Sequence, residues 1–187
     1  MKKGFTLAEV LITLGIVGVV AVLTIPAVMK DYKKRVYVAQ LEKTYSKISN
    51  AVLAAMDAEH ADNFYETRSG TTTTYTCQNG GECTQGLAYF LNTYLEPEMS
   101  NCGKGDKLCV PSGAEAYKTI SGVPAGSPAG GDYCIQTTQG ASICGFFNSG
   151  NTCMSLAVDV NGNEGPNIVG RDLFVMDIHS DGAISDY

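Results

Sequence analysis

The sequence predicts an α+β fold in which one long N-terminal helix packs on a small antiparallel sheet. Three observations predict it. A dense apolar block fills residues 5–29, an amphipathic stripe of helical period follows it to residue 59, and the C-terminal part of the 187-residue chain alternates apolar and polar residues in short runs between turns. Residues 1–4 form a basic leader, 5–29 a membrane-length helix, 30–59 its amphipathic second half, and 60–187 a cysteine-containing globular head.

Met1-Lys2-Lys3-Gly4 is short and basic, and from Phe5 to Met29 the only residues neither apolar nor glycine are Thr6, Glu9, Thr13, Thr24 and Pro26. As a helix this block spans ~37 Å, enough to cross a hydrocarbon core of ~30 Å. A cleaved secretory signal has a shorter apolar core followed by a small-x-small site, and Thr24-Ile25-Pro26-Ala27-Val28 is a poor one. A plain signal anchor fits the length but leaves Glu9 unexplained, since an isolated carboxylate near the membrane costs at least a few kcal/mol unless paired or snorkelling. Pro26 removes a backbone hydrogen bond, and Gly15 and Gly18 weaken the same stretch, so a kink or local unwinding is expected between Gly15 and Pro26. Charges on the two sides nearly balance: Lys2 and Lys3 precede the block, while Lys30, Lys33, Lys34 and Arg35, offset by Asp31, follow it.

Beyond the basic cluster, Val38, Leu41, Tyr45, Ile48, Val52 and Ala55 recur at steps of three and four, with polar residues opposite. The stripe lasts under three heptads, which favours packing on a sheet of the same chain over a coiled-coil seam. Its pattern fades between Asp57 and His60.

In the head, residues 61–83 are polar and turn-rich. Gln85 to Glu96 reads as a helix, with Thr84 as its cap, Leu87, Phe90, Leu91, Tyr94 and Leu95 on one face, and Pro97 beyond its end. Ser100 to Gly131 reads as irregular. Tyr133–Thr138 and Ala141–Phe147 flank the turn Gln139-Gly140, and Cys153–Val160 and Leu173–Ile178 alternate as strands, giving an expected antiparallel sheet of three to four strands.

All seven cysteines, Cys77, Cys83, Cys102, Cys109, Cys134, Cys144 and Cys153, follow the apolar block, and none forms a CxxC pair. Zinc-ribbon and thioredoxin-type readings are therefore disfavoured, and disulfides in an oxidising space are expected. Cys77–Cys83 and Cys102–Cys109 are placed to close small loops. Cys134 and Cys144 lie symmetrically about the hairpin turn, with Cys153 an alternative partner for either, and the odd count leaves one thiol over or bridging to another chain. Residues 48–187 carry five basic and sixteen acidic groups. A head this acidic repels phosphate backbones, so no nucleic-acid partner is expected for it.

The chain holds two histidines, His60 and His179, and shows no nucleophile–base motif, no glycine-rich phosphate loop and no HExxH. It reads as a non-enzyme. Asp159-Val160-Asn161-Gly162-Asn163 places oxygen-bearing side chains at every second position, with Asp172 following. Such a loop supplies several of the six to eight oxygens calcium takes, so Asp159, Asn161, Asn163 and Asp172 are candidate calcium ligands. The competing reading is an Asn-Gly turn in which Asp159 and Asp172 cap backbone amides.

Lys3-Gly4-Phe5-Thr6-Leu7-Ala8-Glu9, running directly into the apolar block, resembles the class III signal of type IV prepilins and type II secretion pseudopilins. The resemblance covers roughly the first 30 residues. It implies cleavage between Gly4 and Phe5 by a prepilin peptidase, N-methylation of the Phe5 amine, and residence in the bacterial inner membrane with the N-terminus cytoplasmic before assembly with other pilin or pseudopilin subunits. It also implies assembly roles for Phe5, Glu9 and Pro26: the Glu9 carboxylate would pair with the Phe5 amine of a neighbouring subunit. Asp159 to Ile178, with Gly165-Pro166-Asn167 and Gly170-Arg171-Asp172, resembles the C-terminal region of pseudopilin-like proteins, whose major members hold calcium in a comparable loop. The expected function is a filament subunit of a pilus or secretion pseudopilus. The alternative is a membrane-anchored extracytoplasmic binding or adhesion protein, or a minor tip subunit combining both.

Overall fold

The computed structural model describes residues 4–71, 83–103, 108–147 and 151–186. The chain divides into two compact units, 1–38 and 39–187. Helix α1 (Leu7–Glu59) is 53 residues long and continues through Pro26. Within the first unit its large apolar side chains face outward: Leu7 is 81% exposed, and Leu11, Ile16, Val22 and Leu23 are all exposed.

The helix stops where its periodicity fades. His60 takes a left-handed φ of 52°. The Ala61 N–H donates to Met56 O at 3.0 Å and the His60 N–H to Asp57 O at 3.2 Å, a Schellman ending that satisfies two otherwise orphaned carbonyls.

The second unit buries one side of α1 through Thr44, Ile48, Ala51, Val52 and Ala55. The stripe differs from the expected one at its start: Val38 and Tyr45 are exposed, and Thr44 takes an inward position. Thr44 fits there because its hydroxyl donates to Gln40 O at 2.9 Å, which satisfies the group without leaving the helix.

Helix α2 (Gly86–Leu95) buries Leu87, Phe90, Leu91 and Leu95, while Tyr94, expected on the same face, is half-buried. Its N-cap is Gln85 rather than Thr84, and no side chain caps it. The Gly86 N–H instead donates to Arg68 O at 2.7 Å, so a neighbouring segment supplies the acceptor. Gly145 brings α2 close to the sheet: a Cβ there would lie 2.9 Å from Leu87 Cγ and closer still to both methyls. Phe64 and Phe90 meet edge-to-face with centroids 5.4 Å apart. Each such fully buried side chain contributes about 1.5–3 kcal/mol relative to exposure.

The described strands are β1 (Met99–Ser100), β2 (Tyr117–Lys118), β3 (Pro124–Gly126), β4 (Tyr133–Gln136), β5 (Ser142–Phe147), β6 (Thr152–Asp159), β7 (Leu173–His179) and β8 (Ile184–Asp186). They form an antiparallel sheet of order β1-β4-β5-β6-β7-β8 and a separate ribbon, β2-β3. The main sheet thus has six strands rather than three to four. The two extra strands sit at its edges, where two or three residues suffice. The stretch expected to be irregular holds β2 and β3, which pair Tyr117 with Gly126 and Lys118 with Pro124. Asn92 on α2 ties the opposite edge, donating to the Tyr133 hydroxyl at 2.9 Å and accepting from the Ser100 hydroxyl at 2.7 Å.

Candidate functional site

The candidate site is the N-terminal segment, and its geometry starts from three residues outside the helix. Gly4, Phe5 and Thr6 are exposed and non-helical, with Phe5 90% exposed. The Gly4–Phe5 peptide therefore lies in open chain immediately before α1, and nothing lies within 4 Å of where a Gly4 Cβ would be.

Glu9 closes the helix start. The Thr6 N–H and the Thr6 hydroxyl each donate to Glu9 Oε2 at 2.8 Å, and the Glu9 N–H donates back to Thr6 Oγ1 at 3.3 Å. This is a reciprocal capping box, and its Ser/Thr-x-x-Glu spacing stands in the sequence as Thr6-Leu7-Ala8-Glu9. Sequence reasoning weighed Glu9 as an intersubunit partner or a snorkelling group and missed this local role. The capping box holds the carboxylate beside the backbone that becomes the new N-terminus if Gly4 is removed.

Helix α1 is long and apolar enough to cross a membrane by length and composition. Just beyond the apolar block, Lys30, Lys33, Lys34 and Arg35 are exposed.

In the head, Cys102 is bonded to Cys109 and Cys134 to Cys144. Cys134 and Cys144 stand opposite each other in the β4–β5 register. Cys83 is also disulfide-bonded, while Cys77 lies outside the described residues. Cys153 is a free, buried thiol rather than a partner in the hairpin bond, and burial pushes its pKa up. The four sulfurs of the two described bonds share one core cluster with Val110 and Ala129.

Asp159 and Asp172 are fully buried. Asp159 accepts from the Tyr117 hydroxyl and, at 3.1 Å, from the Asn161 N–H. Asp172 accepts from the Asn167 and Ile168 N–H groups at 2.7 and 2.6 Å. Asn161 Nδ2 donates to Glu164 O at 2.6 Å, and Asn163 Nδ2 to Leu108 O at 2.9 Å. All four carboxylate oxygens thus already accept from the protein, and the Asn161 and Asn163 amides brace the loop. This donor set fits the amide-capping reading. In the same loop Asn161 Oδ1 and Asn167 Oδ1 are buried without a hydrogen-bond partner among the described residues. The Tyr117 hydroxyl, which secures the β2–β3 ribbon to the end of β6, lies 42 residues from Asp159 in sequence and had no sequence signal. Burial, offset by the Tyr117 and amide hydrogen bonds, raises the Asp159 pKa to about 6, and the nearby Asp172 adds to the rise. His179 is bonded at 2.9 Å to Ser185 Oγ across the β7–β8 pairing.

The N-terminal segment thus combines an exposed Gly4–Phe5 peptide, a capped helix start and an outward-facing apolar helix. The family model for the prokaryotic N-terminal methylation motif matches residues 1–25. The matched segment is the prepilin signal found on type IV pilins and pseudopilins, and it covers the start of the chain. No curated protein and no solved structure matches the chain.

Proposed function

We propose that the chain is a structural subunit of a type IV pilus-like or type II secretion pseudopilus filament. A prepilin peptidase cuts between Gly4 and Phe5 and methylates the Phe5 amine. The observation that carries this reading is the N-terminal methylation motif placed at the start of a helix whose apolar side chains are uncovered. Before assembly a bilayer covers that surface, with the N-terminus cytoplasmic and the head outside; afterwards the helices of other subunits cover it. Glu9 then exchanges its Thr6 partners for the Phe5 amine of a neighbour, pairing the one carboxylate of the apolar block and fixing register between subunits. Pro26 marks where the helix gives way on assembly.

Mass spectrometry of the mature N-terminus tests the reading. The expected result is loss of Met1–Gly4 with one added methyl group on Phe5. Retention of Lys2-Lys3 would overturn it and favour a membrane-anchored extracytoplasmic binding or adhesion protein. Glu9→Ala is expected to abolish filaments while leaving cleavage intact, read by the same mass measurement alongside filament yield.

A further inference from the structure

Within the second unit a groove of about 820 Å³ runs between the second half of α1 and strands β7 and β8. Leu41, Tyr45, Phe174 and Met176 give it an apolar lining, and Glu42 and Asp186 add two carboxylates. Among the described residues the ion pair is Arg68 with Glu59, so neither groove carboxylate takes part in one. Tyr45 is 44% exposed, a large aromatic ring at the groove only partly covered by its own chain.

We propose that this groove receives a second copy of the chain through segment 28–35, an inference that rests on the filament reading. The complement is present in the same sequence. Val28, Tyr32 and Arg35 follow at i, i+4 and i+7 and so share one face of α1. Val28 is 66% and Tyr32 62% exposed, and Lys30, Lys33, Lys34 and Arg35 surround them with positive charge. An apolar residue, an aromatic ring and an arginine together make an anchor of the kind that dominates protein interfaces. In the groove, Val28 and Tyr32 of one copy meet Tyr45, Phe174 and Met176 of the other. Arg35 and its basic neighbours meet Glu42 and Asp186. An anionic lipid headgroup is a poorer occupant, because both charges of the groove repel it. A small polar ligand is poorer too, because the remaining polar lining is Ser46 and Ser185, and Ser185 is already bonded to His179.

The test uses full-length chains assembled from two isotopically distinct populations, with a p-benzoyl-phenylalanine photocrosslinker at Tyr45. The expected product joins the Tyr45 position to a peptide within 28–35 bearing the other isotope. A cross-link to lipid, to a different protein, or to another segment of a copy would overturn the proposal. In parallel, Glu42→Lys and Arg35→Glu are each expected to lower filament yield several-fold, and the double variant to restore it. Asp186→Lys serves as a second, exposed site should Glu42→Lys disturb α1. Protection of Cys153 from alkylation reports that each variant head is folded. Normal yield from the single reversals, with trimmed wild-type filaments present, would sink the groove contact and leave the filament reading standing. Absence of trimmed wild-type filaments would bring down both.

Discussion

Asp159 shows how a single buried acid sets a pH dependence. The groups facing it are the Tyr117 hydroxyl, the Asn161 and Gly162 amides, and the carboxylate of Asp172. Its folded pKa, about 6, lies above the ordinary 3.8, so the folded state takes up a proton more readily than the unfolded chain. The stabilisation is complete below about 3.8 and is lost as pH rises through about 6. A rise of this size corresponds to roughly 2–3 kcal/mol. Thermal melting of the head is therefore expected to shift upward as pH falls from 7.5 to 5, and Asp159→Asn, which retains an acceptor without the charge, is expected to flatten that slope. A melting temperature that falls steadily over this window in the wild type would contradict the assignment. Thr6 offers a second test at this scale. Thr6→Val removes the capping hydroxyl at about 1 kcal/mol of helix stability but keeps the Glu9 charge. If Glu9 acts between subunits, filament yield under Thr6→Val stays near wild type, in contrast with Glu9→Ala.

At the scale of elements, the contact of α2 with β5 allows little variation. Gly145→Ala places a methyl group where Leu87 already sits, and overpacking of this kind costs about 1–3 kcal/mol. The expected outcome is a lower melting temperature for Gly145→Ala, partly recovered by Leu87→Ala in the double variant, whereas independent sites would give additive losses. Much of this architecture was legible in the sequence. Strands β4 to β7 were readable because four to eight residues are enough to display an alternating pattern, and α2 because its apolar face repeats over three turns. The short strands were not. Met99–Ser100 and Tyr117–Lys118 are two residues each, too short for any period, and pair only because the rest of the fold presents an edge. Strand β8 did carry a signal, Asp181-Gly182, whose Gly182 adopts φ 85° and whose Asp181 side chain accepts the Ala183 N–H at 3.0 Å. The strand after it, three residues long, is too short to show a period of its own. In the candidate site, the methylation motif was legible from local order alone. The Tyr117–Asp159 contact was not, because no pattern in either segment refers to the other.

At the scale of the molecule, the charge split and the cysteines govern behaviour together. The basic residues gather in the first 47 positions while the head is strongly acidic. Contacts between copies that match the two are screened by salt, so assembly is expected to weaken between 50 mM and 500 mM sodium chloride, read as filament mass after sedimentation. A chelator is expected to leave the head's melting temperature unchanged, because every oxygen of Asp159 and Asp172 already accepts a hydrogen bond from the protein. A clear downward shift would support calcium binding by the Asp159–Asp172 loop.

Two of the disulfides meet in one place. Cys102, Cys109, Cys134 and Cys144 form most of a small core whose other members, among the described residues, are Val110 and Ala129. With so little hydrocarbon beside the sulfurs, this corner matures only once electrons have been withdrawn from its thiols. The surroundings thereby become a folding checkpoint: a chain held under reducing conditions keeps that corner unfinished.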